Sequence, residues 1–268
     1  MKRLSSVLLA ISLCLAFVAV AAAQNKAMVT VVHGIPNTDV DVYVNGQATL
    51  KSFKFGTVTD PLSLDPGSYK IEIRPAGAAA TSAPILSTTA NLQAGQNVSL
   101  VAHLTADGKP ALDAYVNDTS MLAAGKARLT VRHDAAAPAV DILANNAKLV
   151  SNLANPKEAK ADVAAGTYAV AIAPAGQTTP VFGPQNLTLN AGTGYVVYAV
   201  GSLSDKTFTL LIQQIPGLGG GPMGAATGEG GLAQQPAFPT SGWLVLSLAG
   251  AALAASAVMV VRTRARVH

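Results

Sequence analysis

The 268-residue chain is long enough for about two ordinary domains, each with its own core. Only 12% of its residues are charged and 5% are aromatic, while glycine and proline are frequent, a composition typical of turn-rich β domains. Five of its 18 cations lie at the chain ends, namely Lys2, Arg3, Arg262, Arg264 and Arg266. Without them the formal charge of +4 becomes −1, which excludes the basic surface of a nucleic-acid-binding protein.

The N-terminus has the three parts of a secretory signal peptide. Lys2 and Arg3 precede an apolar run over residues 7–20, and three alanines at 21–23 provide a small-residue cleavage site. We predict a signal peptide over residues 1–23 and export of the remaining chain. The only cysteine, Cys14, lies inside this peptide, so we expect the mature protein to have neither a disulfide nor a thiol nucleophile.

The central part of the chain repeats itself at a shift of about one hundred residues. The matching segments are Thr30-Val31-Val32-His33 with Thr130-Val131-Arg132-His133, Val40-Asp41 with Val140-Asp141, and Pro66-Gly67-Ser68-Tyr69 with Ala165-Gly166-Thr167-Tyr168. Duplication explains these matches, and we predict two tandem domains over residues 24–125 and 126–216.

Short strand patterns separated by turn residues recur in both repeats. They cover residues 28–32, 39–44, 69–74, 97–103 and 111–116 in the first repeat, and 129–133, 140–144, 168–173, 195–200 and 208–212 in the second. Residues 122–126 and 155–161 also fit short helices, but these are too short to change the class. We predict an all-β protein with two antiparallel β-sandwiches of seven or eight strands each.

Three motifs of the first repeat carry a family resemblance: His33-Gly34-Ile35-Pro36, the run from Val40 to Gly46, and Pro66-Gly67-Ser68-Tyr69. They resemble the signature of the bacterial family called domain of unknown function 4397. The second repeat resembles it too, with Ala144 and Asn146 in place of a strand valine and the turn glycine. The resemblance implies tandem immunoglobulin-like or transthyretin-like sandwiches on an exported protein, and it implies no catalytic residue or cofactor.

Two pairs of titratable residues recur in both repeats: His33 with Asp41, and His133 with Asp141. In a functional interpretation each pair is an acid/base pair or half of a metal site. In a structural interpretation each imidazole bonds to the turn that follows it, and each carboxylate accepts backbone N–H groups. We favour the structural interpretation because no third metal ligand is evident, and we predict no metal, no cofactor and no catalytic residue.

The C-terminal part predicts a membrane anchor. Residues 217–242 form a Gly- and Pro-rich stalk, and 243–261 are an uncharged apolar stretch of bilayer-spanning length. The basic tail 262–268 follows, and its arginines Arg262, Arg264 and Arg266 favour the cytoplasmic side. We therefore predict a single C-terminal transmembrane helix with both β domains outside the membrane.

Directly before this helix stands Phe238-Pro239-Thr240-Ser241-Gly242. It resembles a degenerate sortase sorting signal, with Phe238 in place of leucine and Ser241 in place of the threonine whose carbonyl is attacked. One alternative is covalent attachment to the cell wall. The other is that Pro239 and Gly242 only break the chain before a helix.

Three functions are compatible with this organisation. We favour a non-enzymatic, surface-displayed binding or adhesion-type module that contacts a wall polymer, a surface protein or itself. The alternative is an envelope enzyme or metal-dependent factor that uses His33/Asp41 and His133/Asp141. A pure spacer is the third hypothesis, although nothing large precedes the repeats to be displayed.

Overall fold

The computed structural model of the protein describes residues 25–219. These residues contain sixteen β-strands and no helix, so the predicted all-β class is confirmed for them. No helix that could span a membrane occurs between residues 25 and 219. The predicted signal peptide, transmembrane helix and basic tail, together with the stalk beyond residue 219, lie outside the described residues.

The first repeat folds into eight strands. They are β1 (Ala27–His33), β2 (Val40–Val44), β3 (Gln47–Phe53), β4 (Leu62–Leu64), β5 (Gly67–Pro75), β6 (Leu86–Leu92), β7 (Asn97–Leu104) and β8 (Pro110–Val116). Two four-stranded sheets result, in the orders β4-β1-β7-β8 and β3-β2-β5-β6.

The second repeat has the same eight-stranded arrangement. Its strands are β9 (Lys126–Ala136), β10 (Val140–Ala144), β11 (Ala147–Leu153), β12 (Glu158–Ala164), β13 (Gly166–Pro174), β14 (Phe182–Leu189), β15 (Gly194–Ser202) and β16 (Thr209–Ile215). The sheet orders are β12-β9-β15-β16 and β11-β10-β13-β14. The sandwiches were predicted to be antiparallel, but one strand pair in each repeat is parallel, β1 with β7 and β9 with β15.

Each repeat has an apolar core between its two sheets. In the first repeat Val29 and Val31 of β1 pack in one cluster with Val42 of β2 and Ile71 of β5, which belong to the other sheet. The equivalent cluster of the second repeat joins β9 and β15 to β10 and β13. Alternate residues of a strand point to opposite faces, so each of these strands places every second side chain in its core.

The sequence patterns find only ten of the sixteen strands. The six others, β3, β4, β6, β11, β12 and β14, all lie at sheet edges, where many side chains are polar and exposed. An edge strand buries less of each face, so its apolar alternation is weaker.

The helical alternative for residues 122–126 and 155–161 is wrong, because the first segment is a turn leading into β9 and the second leads into β12.

The strand order differs from that of an immunoglobulin constant domain. There the first and second strands are neighbours in one sheet. Here β1 and β2 belong to different sheets, and β1 lies between β4 and β7. The same holds for β9 and β10 in the second repeat.

The sheets that contain β1 and β9 pack face to face, and we call them the inner sheets; the other two are the outer sheets. Val32 and Val101 of the first repeat contact Val196 and Val200 of the second in one buried apolar cluster. The backbones also meet, since the Gly201 N–H donates to the Gly34 carbonyl at 3.2 Å. The two repeats therefore form one body with a continuous inter-repeat interface.

The odd-numbered strands of both repeats run toward the same end of this body, and the connections that follow them lie there. We call this end the loop end; it contains residues 34–39, 54–61, 76–85 and 105–109 of the first repeat, and 137–139, 154–157, 175–181 and 203–208 of the second. The Asn155 amide of the second repeat donates to the Leu104 carbonyl of the first at this end, at 2.8 Å. The opposite end, which we call the base, holds both ends of the described chain, because Asn25 and Leu218 bond to turns there.

Candidate functional site

The two predicted histidines occupy equivalent, fully buried positions. The His33 Nε2–H donates to the Thr38 carbonyl at 2.8 Å, and the His133 Nε2–H donates to the Pro138 carbonyl at 2.9 Å. In both rings Nδ1 accepts the backbone N–H two residues later, at 3.4 Å. A ring that donates once and accepts once is neutral. Burial lowers the pKa of both histidines, which also favours the neutral form.

The two predicted aspartates are also equivalent. The Asp41 carboxylate accepts the Ser52 N–H at 2.8 Å and the Gly77 N–H at 3.0 Å. The Asp141 carboxylate accepts the corresponding N–H groups of Asn152 and Gly176 at the same two distances. Each carboxylate thus fixes the outer-sheet hairpin and the β5–β6 or β13–β14 connection. The Lys148 ammonium and these N–H groups lower the pKa of Asp141 to about 2.

The members of each predicted pair do not contact each other through hydrogen bonds in the described part of the chain. His33 instead stacks on Phe53, with ring centroids 5.7 Å apart. Residues 25–219 contain no group of three His, Cys, Asp or Glu side chains that could hold a metal ion. These contacts are those expected of scaffold residues: all four side chains hydrogen-bond to backbone groups of their own repeat, and Asp141 also pairs with Lys148.

The inter-repeat interface contains a polar network that the sequence did not predict. Arg132 is only 1% exposed, and its guanidinium donates to Asn117 Oδ1 and Glu158 Oε2 at 2.8 Å and to the Tyr198 hydroxyl at 3.2 Å. It also lies 4.3 Å from the centre of the Tyr115 ring, which adds a cation–π contact. Asn117 and Tyr115 belong to the first repeat, so Arg132 links the two sandwiches.

The Tyr198 hydroxyl extends this network across the interface. It lies 2.7 Å from Ser99 Oγ of the first repeat and 2.5 Å from Gln213 Oε1 of the second. The Gln213 amide then donates to Thr30 Oγ1 of the first repeat at 3.1 Å. Burial raises the pKa of Tyr198 to about 12, so its hydroxyl stays protonated and available as a donor.

A second polar group lies nearer the loop end. The Tyr115 hydroxyl donates to Asp134 Oδ1 at 2.7 Å, while Asp134 Oδ2 is buried with no hydrogen-bond partner among the described residues. Burial raises the pKa of Asp134, and the neighbouring His103 opposes that rise. The two ring nitrogens of His103 lie close to oxygen atoms, at 3.0 Å from the Leu104 carbonyl and at 2.9 Å from Asp113 Oδ2.

One sequence signal points to this interface. Arg132 aligns with Val32 in the repeat comparison, so a charged residue stands in the middle of a predicted strand in one copy only. A mid-strand arginine on an otherwise apolar face indicates a paired, buried cation rather than a solvated side chain. Asp134, Tyr115 and Ser99 carry no comparable signal, because their roles depend on how the two repeats pack.

A shallow cleft of about 450 Å³ lies at the loop end between the two repeats. Its walls come from three connections or strand ends and consist of Ala106, Ala136, Ala137, Pro138, Leu203 and Ser204. None of these lining residues is titratable, so the cleft offers no acid or base for catalysis. Both repeats form the cleft, since Ala106 belongs to the first repeat and the other lining residues belong to the second.

A protein-family model described as a domain of unknown function (DUF4397) matches residues 27–143 and 134–216. The chain belongs to the DUF4397 family. The two matches cover both sandwiches, and the first also includes β9 and most of β10, which belong to the second DUF4397 repeat. Among curated proteins no match to this chain was found.

Two sequence predictions concern residues beyond the DUF4397 repeats. The sorting-signal candidate over Phe238, Pro239, Thr240, Ser241 and Gly242 lies outside the described residues. The same is true of the orienting arginines Arg262, Arg264 and Arg266. Both stay predictions.

Proposed function

We propose that the protein is an exported, non-enzymatic binding or adhesion-type module held at the cell envelope. Residues 1–23 act as a signal peptide, residues 243–261 span the membrane, and residues 262–268 stay in the cytoplasm. The two DUF4397 repeats, assigned to 24–125 and 126–216, then lie outside the cell with residues 217–242 as their stalk. A wall polymer or another surface protein is the expected partner.

The position of the chain ends carries this proposal. The described chain begins and ends at the base, whereas eight connections from both repeats gather at the opposite end. A chain tethered through the stalk turns its base toward the membrane and its loop end away from it. Loops held on a rigid sandwich are the usual carriers of recognition.

The inter-repeat interface supports the same proposal. Because Arg132 and Tyr198 join the sandwiches through buried hydrogen bonds, the loops of both repeats keep fixed relative positions. A preorganised surface loses less entropy when it binds. The loop end therefore behaves as one binding surface and not as two independent ones.

The enzyme alternative has less support. Its candidate residues His33, Asp41, His133 and Asp141 are bonded to backbone groups of their own repeats. We accordingly assign the protein no catalytic residue, no metal and no cofactor. For the fold, we propose a transthyretin-like sandwich in each repeat, because the first strand pairs in parallel with the seventh and lies apart from the second.

The proposed export and orientation at the cell envelope are tested by labelling intact cells. The described residues contain no cysteine, so Thr81→Cys at the loop end and Gln93→Cys at the base each give one reactive thiol in the mature chain. We expect a membrane-impermeant maleimide to label both variants on intact cells, and a bulky maleimide to label the loop end faster. Labelling only after lysis would overturn export. Mass spectrometry of the C-terminus then distinguishes an intact membrane anchor from a chain cut by sortase.

The proposed activity is tested by binding. Vesicles that carry the full chain are incubated with purified wall polymer and with intact cells. Thr81→Arg and Thr179→Arg add a bulky charge at the loop end, and Gln93→Arg makes the matched change at the base. We expect binding to fall at least about tenfold for the loop-end variants and to stay unchanged for the base variant, since interface centres tolerate such charges poorly. Equal binding by all variants would refute the assignment of the loop end.

A further inference from the structure

The exposed large apolar side chains of the described residues lie at the two ends of the molecule. Met28, Val116 and Met121 are at the base, whereas Ile85 and Val181 are at the loop end. Ile85 is 45% exposed and Val181 is 40% exposed. Single exposed apolar residues are ordinary, so it is the relation between Ile85 and Val181 that carries information.

These two residues occupy the same position in the two repeats. Ile85 follows Pro84 and directly precedes β6, and Val181 follows Pro180 and directly precedes β14. The Ile85 N–H donates to the Ile73 carbonyl and the Val181 N–H donates to the Ile172 carbonyl, each at 2.8 Å. The same backbone bond therefore holds an exposed aliphatic side chain in both copies, although the preceding loops differ in length.

The loop of the first repeat has an additional support. The buried Arg74 guanidinium donates to the Ser82 carbonyl at 3.0 Å and lies 4.5 Å from the centre of the Tyr43 ring. This arginine is only 6% exposed, and its hydrogen bond to Ser82 holds the loop in place. Ile85 is thus presented on an ordered loop, which reduces the entropy lost on binding.

Neither loop contains a charged residue. Residues 76–85 are alanine, glycine, threonine, serine, proline and isoleucine, and residues 175–181 add only glutamine and valine to this set. A charged patch repels an identical patch, whereas an uncharged apolar patch is compatible with a copy of itself. We call the loop surfaces around Ile85 and Val181 the two patches. Because neither patch is charged, each is compatible with a contact to an identical chain.

The two patches also have a fixed separation. They belong to the outer sheets, which are the first and fourth layers of the four-sheet stack. With about 10 Å between packed sheets, the patches are roughly 30 Å apart. A second copy carries the same two patches at the same separation, so two molecules that meet end to end can engage both at once.

We infer that the loop end binds the loop end of a second copy of this chain, through the paired patches around Ile85 and Val181. This inference rests on the proposed function, which turns the loop end away from the membrane and lets copies on facing surfaces meet. Each patch is small, so a single contact is weak. Joining two contacts on one rigid body raises the combined affinity by a factor of about 10² to 10⁴.

The experiment uses vesicles that carry the full chain and measures their clustering by light scattering. We compare the unaltered chain with Ile85→Asp, Val181→Asp and the double variant, and with Met121→Asp at the base as the matched control. Met121 is 75% exposed, so the control places the same charge on a more exposed apolar site. Thermal unfolding of each variant verifies that the fold is intact.

The unaltered chain should cluster vesicles. Each single loop-end variant should raise the protein density needed for half-maximal clustering by at least about 100-fold, because at least one of the two linked contacts is lost. The double variant should abolish clustering, and Met121→Asp should leave it unchanged. Absence of clustering by the unaltered chain overturns the inference, as does clustering that survives the double variant or is lost equally in the control. Binding to wall polymer that persists without clustering overturns this inference alone and leaves the proposed function intact.

Discussion

Replacing Arg132 with alanine removes the central cation of the inter-repeat interface. Its hydrogen bonds to Asn117 Oδ1 and to the Tyr198 hydroxyl are buried, and hydrogen bonds that involve a charged group contribute about 1.5–3 kcal/mol each. The cation–π contact with Tyr115 adds about 1 kcal/mol. The pair with Glu158 adds little, because that carboxylate is 41% exposed and solvent screens it.

The gross sum overstates the effect, because the variant no longer has to bury a guanidinium. We expect a net loss of about 3 kcal/mol in the free energy of unfolding. For a folded unit of about two hundred residues, this corresponds to a fall of roughly 6–12 °C in Tm.

The assay is urea unfolding of the full chain in detergent, together with calorimetry. The unaltered repeats should unfold in one transition because the interface couples them, and the variant should separate this into two. Lys160→Ala, which removes an exposed pair with Asp118, is the control and should cost less than about 1 kcal/mol. A change below about 1 kcal/mol for Arg132→Ala, with a single transition retained, would refute the reasoning.

Three further outcomes follow from contacts already described. Gly34→Ala places a Cβ 2.7 Å from Val200 Cγ1, so it should destabilise the protein in urea by about 1–3 kcal/mol, and Val200→Ala should restore part of the loss. Burial raises the pKa of Asp134, so its contribution is complete below pH 3.8 and is lost as pH rises through the raised pKa; Asp134→Asn should gain stability relative to the unaltered chain over that range. The pKa of His133 is lowered from 6.5, so stability should fall as pH drops below 6.5, and His133→Gln should flatten this dependence in unfolding measured from pH 7 to 5. If the difference in stability between the unaltered chain and either variant changes with pH in the opposite sense, the burial argument is contradicted.

The central strands and the duplication could be predicted from the sequence because their signals are local. Val29 and Val31 alternate with residues of the other face, and Asn45-Gly46 is a turn dipeptide, so β1 and β2 are visible without tertiary information. The edge strand β6 is not visible, because Ser87, Thr88 and Thr89 break the apolar alternation.

The candidate site likewise has a part that the sequence predicts and a part that it does not. Turn chemistry indicates that an aspartate near a strand entrance accepts backbone N–H groups, and Asp41 and Asp141 do so. The network around Arg132 requires knowing that the inner sheets face each other. That packing joins Ser99 to Tyr198, ninety-nine residues away, and no local pattern encodes such a contact.

The face-to-face packing of the inner sheets also limits how this architecture can grow. In a solenoid each repeat offers a free face to the next, and the array lengthens by adding units. Here each repeat has buried its inner face against the other, and the two partners have diverged, since valine stands at position 32 and arginine at 132. A third copy would find no equivalent face to cover. The assembly unit is a closed, asymmetric pair, so a longer chain of this kind is expected to gain sandwiches two at a time.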